Sequence, residues 1–342
     1  MRQMNFTILC LSACLLCTTA VSCSVQDTAV ADIIGTVCPV EDELCRCRVK
    51  IVTDAPKAVI GNEADEMTVK SFQVFIFRED GTLDAYAKAS GVTETTVKCT
   101  MGKRQTYVVV NAPDLSSVTT KTGLLSSVWL LADNSLNSLQ MAGCGEFADI
   151  TTDCDISVEV RHICARVQVA KVTNALSAPA LAALPFSLEG IYLTNVAGDV
   201  KYSLEGTPSV WLSKTAYDAS DVTNALHCDM FATPVALGSG KSHDSVHTFY
   251  AYPNSSSESV SGLPWSPRCT RVVVKVKIGG MTYFYPIDLP ALDSNRSYLI
   301  NELKITRPGS TTEDETVQTA ALNVQITVKD WDTVLVRDVY EL

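Results

Sequence analysis

The sequence of 342 residues has few histidines, few aromatic side chains and no run of basic residues longer than two. Its 27 Lys and Arg against 38 Asp and Glu give a net charge of −11. An acidic chain without basic clusters is repelled by nucleic-acid phosphates and anionic lipids, which argues against both as partners. With 46% apolar and 19% charged residues, the composition also excludes a chain that is disordered throughout.

Long apolar runs are missing as well, apart from one short segment near the N-terminus. Phe6–Cys17 is mostly apolar but shorter than the roughly 20 residues that span a bilayer, so residues 1–22 are predicted to be a secretory leader. Ala20-Val21-Ser22 then precedes Cys23, as in the lipobox of bacterial lipoproteins. The sequence therefore predicts lipidation of Cys23, with plain cleavage nearby as the alternative. A lipid anchor is the only membrane contact expected.

Motifs for catalysis and metal binding are equally scarce. His243 and His247 have the spacing of two metal ligands on a helix, but their segment is predicted to be a loop. Gly238–Ser242 resembles the end of a phosphate-binding loop and lacks that motif's first glycine. Cys45-Arg46-Cys47 has no second pair at zinc-finger spacing. We therefore expect no catalytic residue, no metal and no cofactor, and hence no enzyme.

Nine cysteines remain after Cys23, an odd number spread over some 300 residues. This count does not fit a small disulfide framework. Cys99 and Cys164 lie in apolar runs and are predicted to be buried thiols that behave as small apolar side chains. Because an exported protein meets an oxidising compartment, one or two disulfides among the other cysteines stay open.

Alternation of apolar residues predicts β-strands along most of the chain, and Gly279-Gly280 predicts a tight hairpin turn. Helical periodicity is confined to the regions 118–132 and 178–184. The sequence therefore predicts an all-β protein of two tandem sandwiches with one or two short helices, divided near Ser157–His162. The predicted strands are Val49–Thr53, Ser71–Phe77, Tyr107–Val110, Arg271–Ile278, Met281–Tyr285 and Leu322–Val328.

Several motifs occur in a characteristic order behind the lipobox. They are TVKSFQVFIFREDG at 68–81, VKCTMGKRQTYVVVNAPD at 97–114, RHICARVQV at 161–169 and the ending NRSYLINELKITRPGS…ALNVQITVKDW. In this order and at this length the chain resembles the Bacteroidetes fimbrillin superfamily of FimA-like pilins. The resemblance implies two transthyretin-like, Greek-key sandwiches in a structural subunit of a cell-surface fimbrium that supports adhesion. It further implies a leader (1–22), a tether (23–48), an N-terminal domain (49–158) and a C-terminal domain (159–342), exported as an outer-membrane lipoprotein.

The resemblance also implies assembly by strand exchange. In the family an early plug strand fills a groove until a surface protease cuts the following loop, and a C-terminal strand of the next subunit then replaces it. In this sequence the plug strand would be Val49–Thr53, with Val49, Ile51 and Thr53 as its alternate positions. The donor would be the tail Thr333–Leu342, with Val334 and Val336, or Leu335 and Val339 in the other register, entering the groove. The alternative is that both segments are permanent strands.

One departure from the family bears on processing. Pilins of this type are cut after an Arg, yet no Arg occurs from Val49 to Phe77, and Lys57 is the only basic residue between the plug strand and Met67. Either a Lys-directed protease acts at Lys57, or the plug strand stays and the chain is an anchor or tip subunit. The implied partners are neighbouring subunits, the processing protease and a host receptor or glycan.

A function of another class is an outer-membrane lipoprotein that binds a glycan or a protein ligand. Trp211 and Trp265 lie in turn-rich regions, where they would be able to stack on sugar rings. Trp129 and Trp331 lie in periodic runs and are expected in the core.

Overall fold

The computed structural model describes residues 44–53, 66–258, 265–315 and 322–331. The regular secondary structure of these ranges is mostly β-strand, with only three α-helices of four or five residues, α1 Lys121–Leu125, α2 Pro179–Ala182 and α3 Asn224–His227. Within them no helix has the length and apolar character needed to cross a bilayer. The strands are β1 Leu44–Thr53, β2 Ser71–Arg78, β3 Leu83–Ser90, β4 Glu94–Thr100, β5 Gly102–Val110, β6 Val128–Leu130, β7 Met141–Ile150, β8 Cys154–His162, β9 Ala165–Val169, β10 Val172–Asn174, β11 Phe186–Thr194, β12 Val196–Ala197, β13 Asp199–Lys201, β14 Trp211–Leu212, β15 Cys228–Ala236, β16 Ser242–His243, β17 His247–Ala251, β18 Arg271–Ile278, β19 Met281–Asp288, β20 Arg296–Ile305 and β21 Leu322–Asp330.

The strands up to His162, except β6, form one path of paired strands in the order β3-β2-β5-β7-β8-β1-β4, here called the N-terminal sheet. Its pairs are antiparallel apart from β1 and β8, which run parallel. Strand β2 has apolar side chains on both faces, as its sequence predicts. Phe72, Val74 and Ile76 enter one apolar cluster, whereas Phe75 and Phe77 enter another, so this strand lies between two cores.

Two further sheets follow along the chain. One has the order β16-β10-β20-β9-β17, with β21 added along β20, and the other has the order β15-β11-β18-β19. The hairpin between β18 and β19 turns at Gly279 and Gly280, whose φ values of 58° and 88° lie in the left-handed region that glycine tolerates. This confirms the predicted turn.

The buried apolar side chains form two clusters that explain why these sheets stack. The smaller one lies inside the N-terminal sheet's own fold and includes Val49, Val74 and Val158. The larger one extends from the other face of β2 and β5 into both later sheets, so one continuous apolar cluster joins the first part of the chain to the second. The predicted all-β sandwich fold is thereby confirmed, while its division at residue 158 stays a prediction.

Three local features differ from the sequence expectations. Strand β1 begins at Leu44, five residues before the predicted plug strand. The helical pattern over 118–132 is broken into α1 and a short 3-10 helix at Leu131–Asp133, because Val128–Leu130 forms β6 and pairs with β13. His243 and His247, predicted to lie in a loop, stand in the short strands β16 and β17.

Candidate functional site

Strand β1 occupies a groove between β8 and β4. Leu44–Lys50 pairs antiparallel with Glu94–Thr100, and Cys47–Thr53 pairs parallel with Cys154–Val160. Both edges of β1 therefore carry backbone hydrogen bonds, and its removal would leave the main-chain groups of two strands without partners. An exposed edge of that kind accepts another strand readily.

Alternate side chains of β1 fill the smaller apolar cluster. Cys45, Cys47, Val49 and Ile51 are at most 4% exposed, while the residues between them face solvent. Since burying a valine or isoleucine side chain stabilises by roughly 1.5–3 kcal/mol, Val49 and Ile51 alone supply about 3–6 kcal/mol of contact with the groove. The period of two is what allows a different strand with the same alternation to fill the same positions.

The outer face of β1 is polar. Arg48 binds the carboxylate of Asp155 with two hydrogen bonds of 2.8 and 2.7 Å, and both side chains are more than half exposed. The backbone N–H of Arg46 donates to Asp153 at 2.8 Å. These contacts all run from β1 to β8 or to the residue just before it.

The structure includes only part of the site predicted from sequence. Val49 and Ile51 are buried and Thr53 is half-buried at the end of β1. Cys23, Lys57 and the tail Thr333–Leu342, including Val334, Leu335, Val336 and Val339, lie outside the described residues. The assignments of lipidation, cutting and strand donation thus stay predictions.

A buried polar cluster, here called the Glu66 cluster, forms around the carboxylate of Glu66. Glu66 is 3% exposed, and its carboxylate accepts hydrogen bonds from Arg166 at 2.8 Å, from Trp331 Nε1 at 3.1 Å and from the Tyr250 hydroxyl. Arg166 also donates to the Trp331 carbonyl at 3.1 Å and to Ser297 Oγ at 3.1 Å. The buried pair is therefore satisfied by several hydrogen bonds, as a buried ion pair must be.

His162 completes this cluster as a neutral ring. It stacks on Trp331 with ring centroids 4.2 Å apart, and its Nε2 donates to the backbone carbonyl of Glu66 at 3.0 Å. Burial lowers the pKa of His162 to about 4, an effect that the nearby charge of Arg166 reinforces. Burial and the charge of Glu66 raise the pKa of Tyr250, so its hydroxyl keeps the proton that it donates.

The Glu66 cluster brings together two residues that are far apart in the sequence, Glu66 and Trp331. Glu66 is the first described residue after the segment that contains Lys57, and Trp331 is the last described residue before the predicted donor tail. Sequence reasoning missed this arrangement. Its partners are 100 and 265 residues from Glu66, and the only available signal was Trp331 at the end of the quoted ALNVQITVKDW motif.

The tryptophans proposed for glycan stacking contact each other. Trp211 and Trp265 meet edge to face with centroids 5.7 Å apart, and Lys214 lies over the Trp265 ring. Trp129 and Trp331 are buried, as expected. The structure also brings the His243 and His247 Nε2 atoms to 3.0 Å, with His247 Nδ1 2.7 Å from Asp229. Within the described residues, no group of three or more metal-ligand side chains is placed to hold an ion.

A cleft of about 410 Å³ lies beside the Glu66 cluster. The charged side chains in its lining are already paired, Arg296 with Asp330 and Arg161 with Glu159. Its electrostatics are therefore balanced within the protein, and they single out no charged ligand.

This geometry defines a class of protein, a stack of β-sandwich sheets in which an early strand fills a groove lined by its neighbours. Residues 46–146, from β1 to β7, match the model of the family described as major fimbrial subunit protein (FimA). The chain has no significant match among curated protein sequences.

Solved structures show a similar fold. A candidate cell adhesion protein from Bacteroides eggerthii has a TM-score of 0.65 at 19% identity, over 84% of this chain and 96% of the other. The fimbrilin FimA of Porphyromonas gingivalis has 0.61 at 14% identity, over 84% and 97%. The tip fimbrial protein of the same organism, truncated at its C-terminus, has 0.53 at 14% identity, over 84% and 100%.

The resemblance to FimA-like fimbrillins that the sequence motifs predict is confirmed by these comparisons. The match of residues 46–146 to this family supports a structural or adhesive role in a cell-surface fimbrium. The solved structures show that the fold is shared. The family match indicates a structural protein.

Proposed function

We propose that this protein is a subunit of a surface fimbrium that assembles by exchange of strand β1 for a donor strand of the next subunit. One observation carries the proposal. β1 is held by two backbone ladders and by alternate side chains, so an incoming strand of the same alternation is able to make the same contacts.

The donor in this proposal is the tail Thr333–Leu342, with Val334 and Val336 or Leu335 and Val339 as the side chains that enter the groove. Trp331, two residues before this tail, is held in the Glu66 cluster, and this supports the choice. A donor from one subunit that enters the groove of another makes a head-to-tail contact, which propagates into a fibre.

Processing begins with export and lipidation at Cys23, which holds the subunit at the outer membrane. A surface protease then cuts after Lys57, and the piece that contains β1 leaves the groove. Adhesion to a host receptor or glycan belongs to the assembled fibre.

The test is the N-terminus of the protein isolated from the native cell surface, measured by intact mass and peptide mapping. A start at Ala58 supports cutting and exchange by a polymerising subunit. An acylated Cys23 that persists in surface fibres contradicts cutting and supports an anchor or tip subunit that keeps β1.

A second experiment tests the donor. Polymers that resist SDS are expected as a ladder of bands from the full chain, and deletion of residues 333–342 should abolish the ladder. A matched control replaces the same residues with a polar sequence of equal length. Ladders that persist after the deletion would rule out this tail as the donor.

A further inference from the structure

Three thiols meet across three adjacent strands of the N-terminal sheet. Cys47 Sγ on β1 lies 3.3 Å from Cys154 Sγ on β8 and 3.4 Å from Cys99 Sγ on β4. All eight cysteines within the described ranges are in the thiol form. A disulfide has a sulfur–sulfur distance of about 2.05 Å, so either contact becomes a bond after a small rotation of the two side chains.

Register and access distinguish the two neighbours of Cys47. Cys47 and Cys154 are directly paired across the parallel strands, whereas Cys99 is paired with Cys45 and meets Cys47 only diagonally. Cys154 is half-buried, whereas Cys99 is 1% exposed. A soluble oxidant therefore reaches Cys154 first.

We propose that Cys47 and Cys154 form a reversible disulfide that ties β1 to β8 and keeps β1 in its groove. The consequence for assembly rests on the proposed function of β1 as the exchanged strand. With the bond formed, cutting at Lys57 leaves the β1 segment covalently attached, and the donor strand is unable to enter. With the bond reduced, only noncovalent contacts hold β1, and exchange proceeds.

The chemistry is thiol–disulfide exchange with a disulfide oxidant such as oxidised glutathione. The Cys154 thiolate attacks one sulfur of the oxidant, a mixed disulfide forms, and one glutathione thiolate leaves. Cys47 then loses its proton to solvent and attacks Cys154 Sγ, which expels the second glutathione. Two protein thiols are oxidised and one glutathione disulfide is reduced to two thiols. Burial raises the pKa of the Cys47 thiol, so this second step awaits a brief opening of β1.

The first test is chemical. The mature full chain is incubated with oxidised glutathione, alkylated and digested without reductant by trypsin and a Glu-specific protease. Cleavage at Arg46 and Arg48 isolates Cys47, and cleavage at Glu146 and Glu159 isolates Cys154. We expect the dipeptide 47–48 linked to the peptide 147–159. Absence of this species, or Cys47 linked elsewhere, overturns the proposal.

Single substitutions distinguish the Cys47–Cys154 pair from the third thiol, Cys99. Cys154→Ser should abolish the linked species, and Cys154→Ala provides a second replacement if the serine variant folds poorly. Cys99→Ser is the matched control, because it removes a thiol from the same cluster and leaves the pair intact. Loss of the Cys47–Cys154 link in Cys99→Ser would overturn the assignment.

The second test asks whether the bond acts as a lock. In a full chain whose residues 58–63 are replaced by a site-specific protease sequence, cutting is followed by non-reducing electrophoresis and by the rate of ladder formation. The oxidised chain should retain its β1 fragment and form ladders at least tenfold more slowly than the reduced chain. Cys154→Ser should show no difference between the two conditions. Equal rates for the oxidised and reduced chain overturn the lock. If the reduced, cut chain forms no ladder although the linked peptide is present, the proposed exchange of β1 fails and the disulfide stands.

Discussion

Strand β1 and the Glu66 cluster hold the chain by opposite means. β1 relies on main-chain ladders and on small apolar side chains at every second position. The Glu66 cluster relies on a buried carboxylate with three specific donors, one of them a guanidinium. Backbone hydrogen bonds and apolar alternation can be reproduced by many sequences, whereas loss of one partner from a buried ion pair leaves an uncompensated charge.

Under the proposed strand exchange, this contrast separates the element to be replaced from the residues that stay in place. A subunit that exchanges a strand needs a replaceable element, and it also needs fixed points from which the moving segments depart. β1 meets the first requirement. Glu66 and Trp331 meet the second, because one buried cluster holds both residues while the segments beyond them are the ones proposed to move.

The largest expected loss of stability follows from a substitution in the Glu66 cluster. Glu66→Ala leaves Arg166 as a buried charge without its carboxylate, and removal of one partner from a buried pair costs about 3–5 kcal/mol. We expect the free energy of unfolding, measured by urea denaturation with circular dichroism, to fall by this amount. Glu79→Ala is the control, since Glu79 pairs with Lys103 at the surface. A loss below about 1 kcal/mol in Glu66→Ala would refute the idea that this cluster anchors the chain.

In β1, Ile51→Ala should lower the free energy of unfolding by about 2–4 kcal/mol, because it deletes buried methyl and methylene groups and leaves a cavity in the smaller cluster. Val52→Ala, next to it on the solvent face, should change stability by no more than about 0.5 kcal/mol. In a chain cut after β1, Ile51→Ala should also release the strand faster than Val52→Ala, as measured by the appearance of ladders. Equal rates for the two variants would contradict retention of β1 by its alternate side chains.

The sequence predicted most of what period and turn chemistry determine. Alternation located β2, β18 and β21, and the glycine pair located the β18–β19 hairpin. The start of β1 at Leu44 was not predicted, although Cys45 and Cys47 continue its alternation, because the sequence alone does not distinguish a cysteine that is a buried apolar side chain from one that is a chemically active thiol.

Local sequence patterns could not predict the Glu66 cluster. Its contacts join residues up to 265 positions apart, and a glutamate gives no sign in the sequence that it will be buried. The cysteine contacts across β4, β1 and β8 depend likewise on strand order, since Cys47 and Cys154 become neighbours only through the parallel pairing of β1 with β8. Sheet topology, and not composition, creates both sites.

Stability measured as a function of pH tests the contribution of His162 in the Glu66 cluster. The folded protein holds His162 at a pKa of about 4, below the value of about 6.5 in an unfolded chain. The unfolded state therefore takes up a proton first as the pH falls, and stability is lost between about pH 6.5 and 4. At pH 5 the loss is about 2 kcal/mol relative to pH 7.5.

His162→Asn should remove this contribution, so its stability should fall less over the same interval. Burial also lowers the pKa of His227, but that residue contributes in both proteins and cancels in the comparison. Parallel stability curves for the wild type and His162→Asn between pH 7.5 and 5 would mean that His162 is not the group that titrates.

The smallest effect is expected at the polar face of β1. Arg48 and Asp155 form an ion pair with ideal hydrogen-bond distances, yet both side chains are more than half exposed, so water and salt screen their attraction. Arg48→Ala should leave the free energy of unfolding and the rate of ladder formation unchanged within error, at both low and high salt. If Arg48→Ala released β1 as fast as Ile51→Ala, the strand would be held by its charges and not by its alternate apolar side chains.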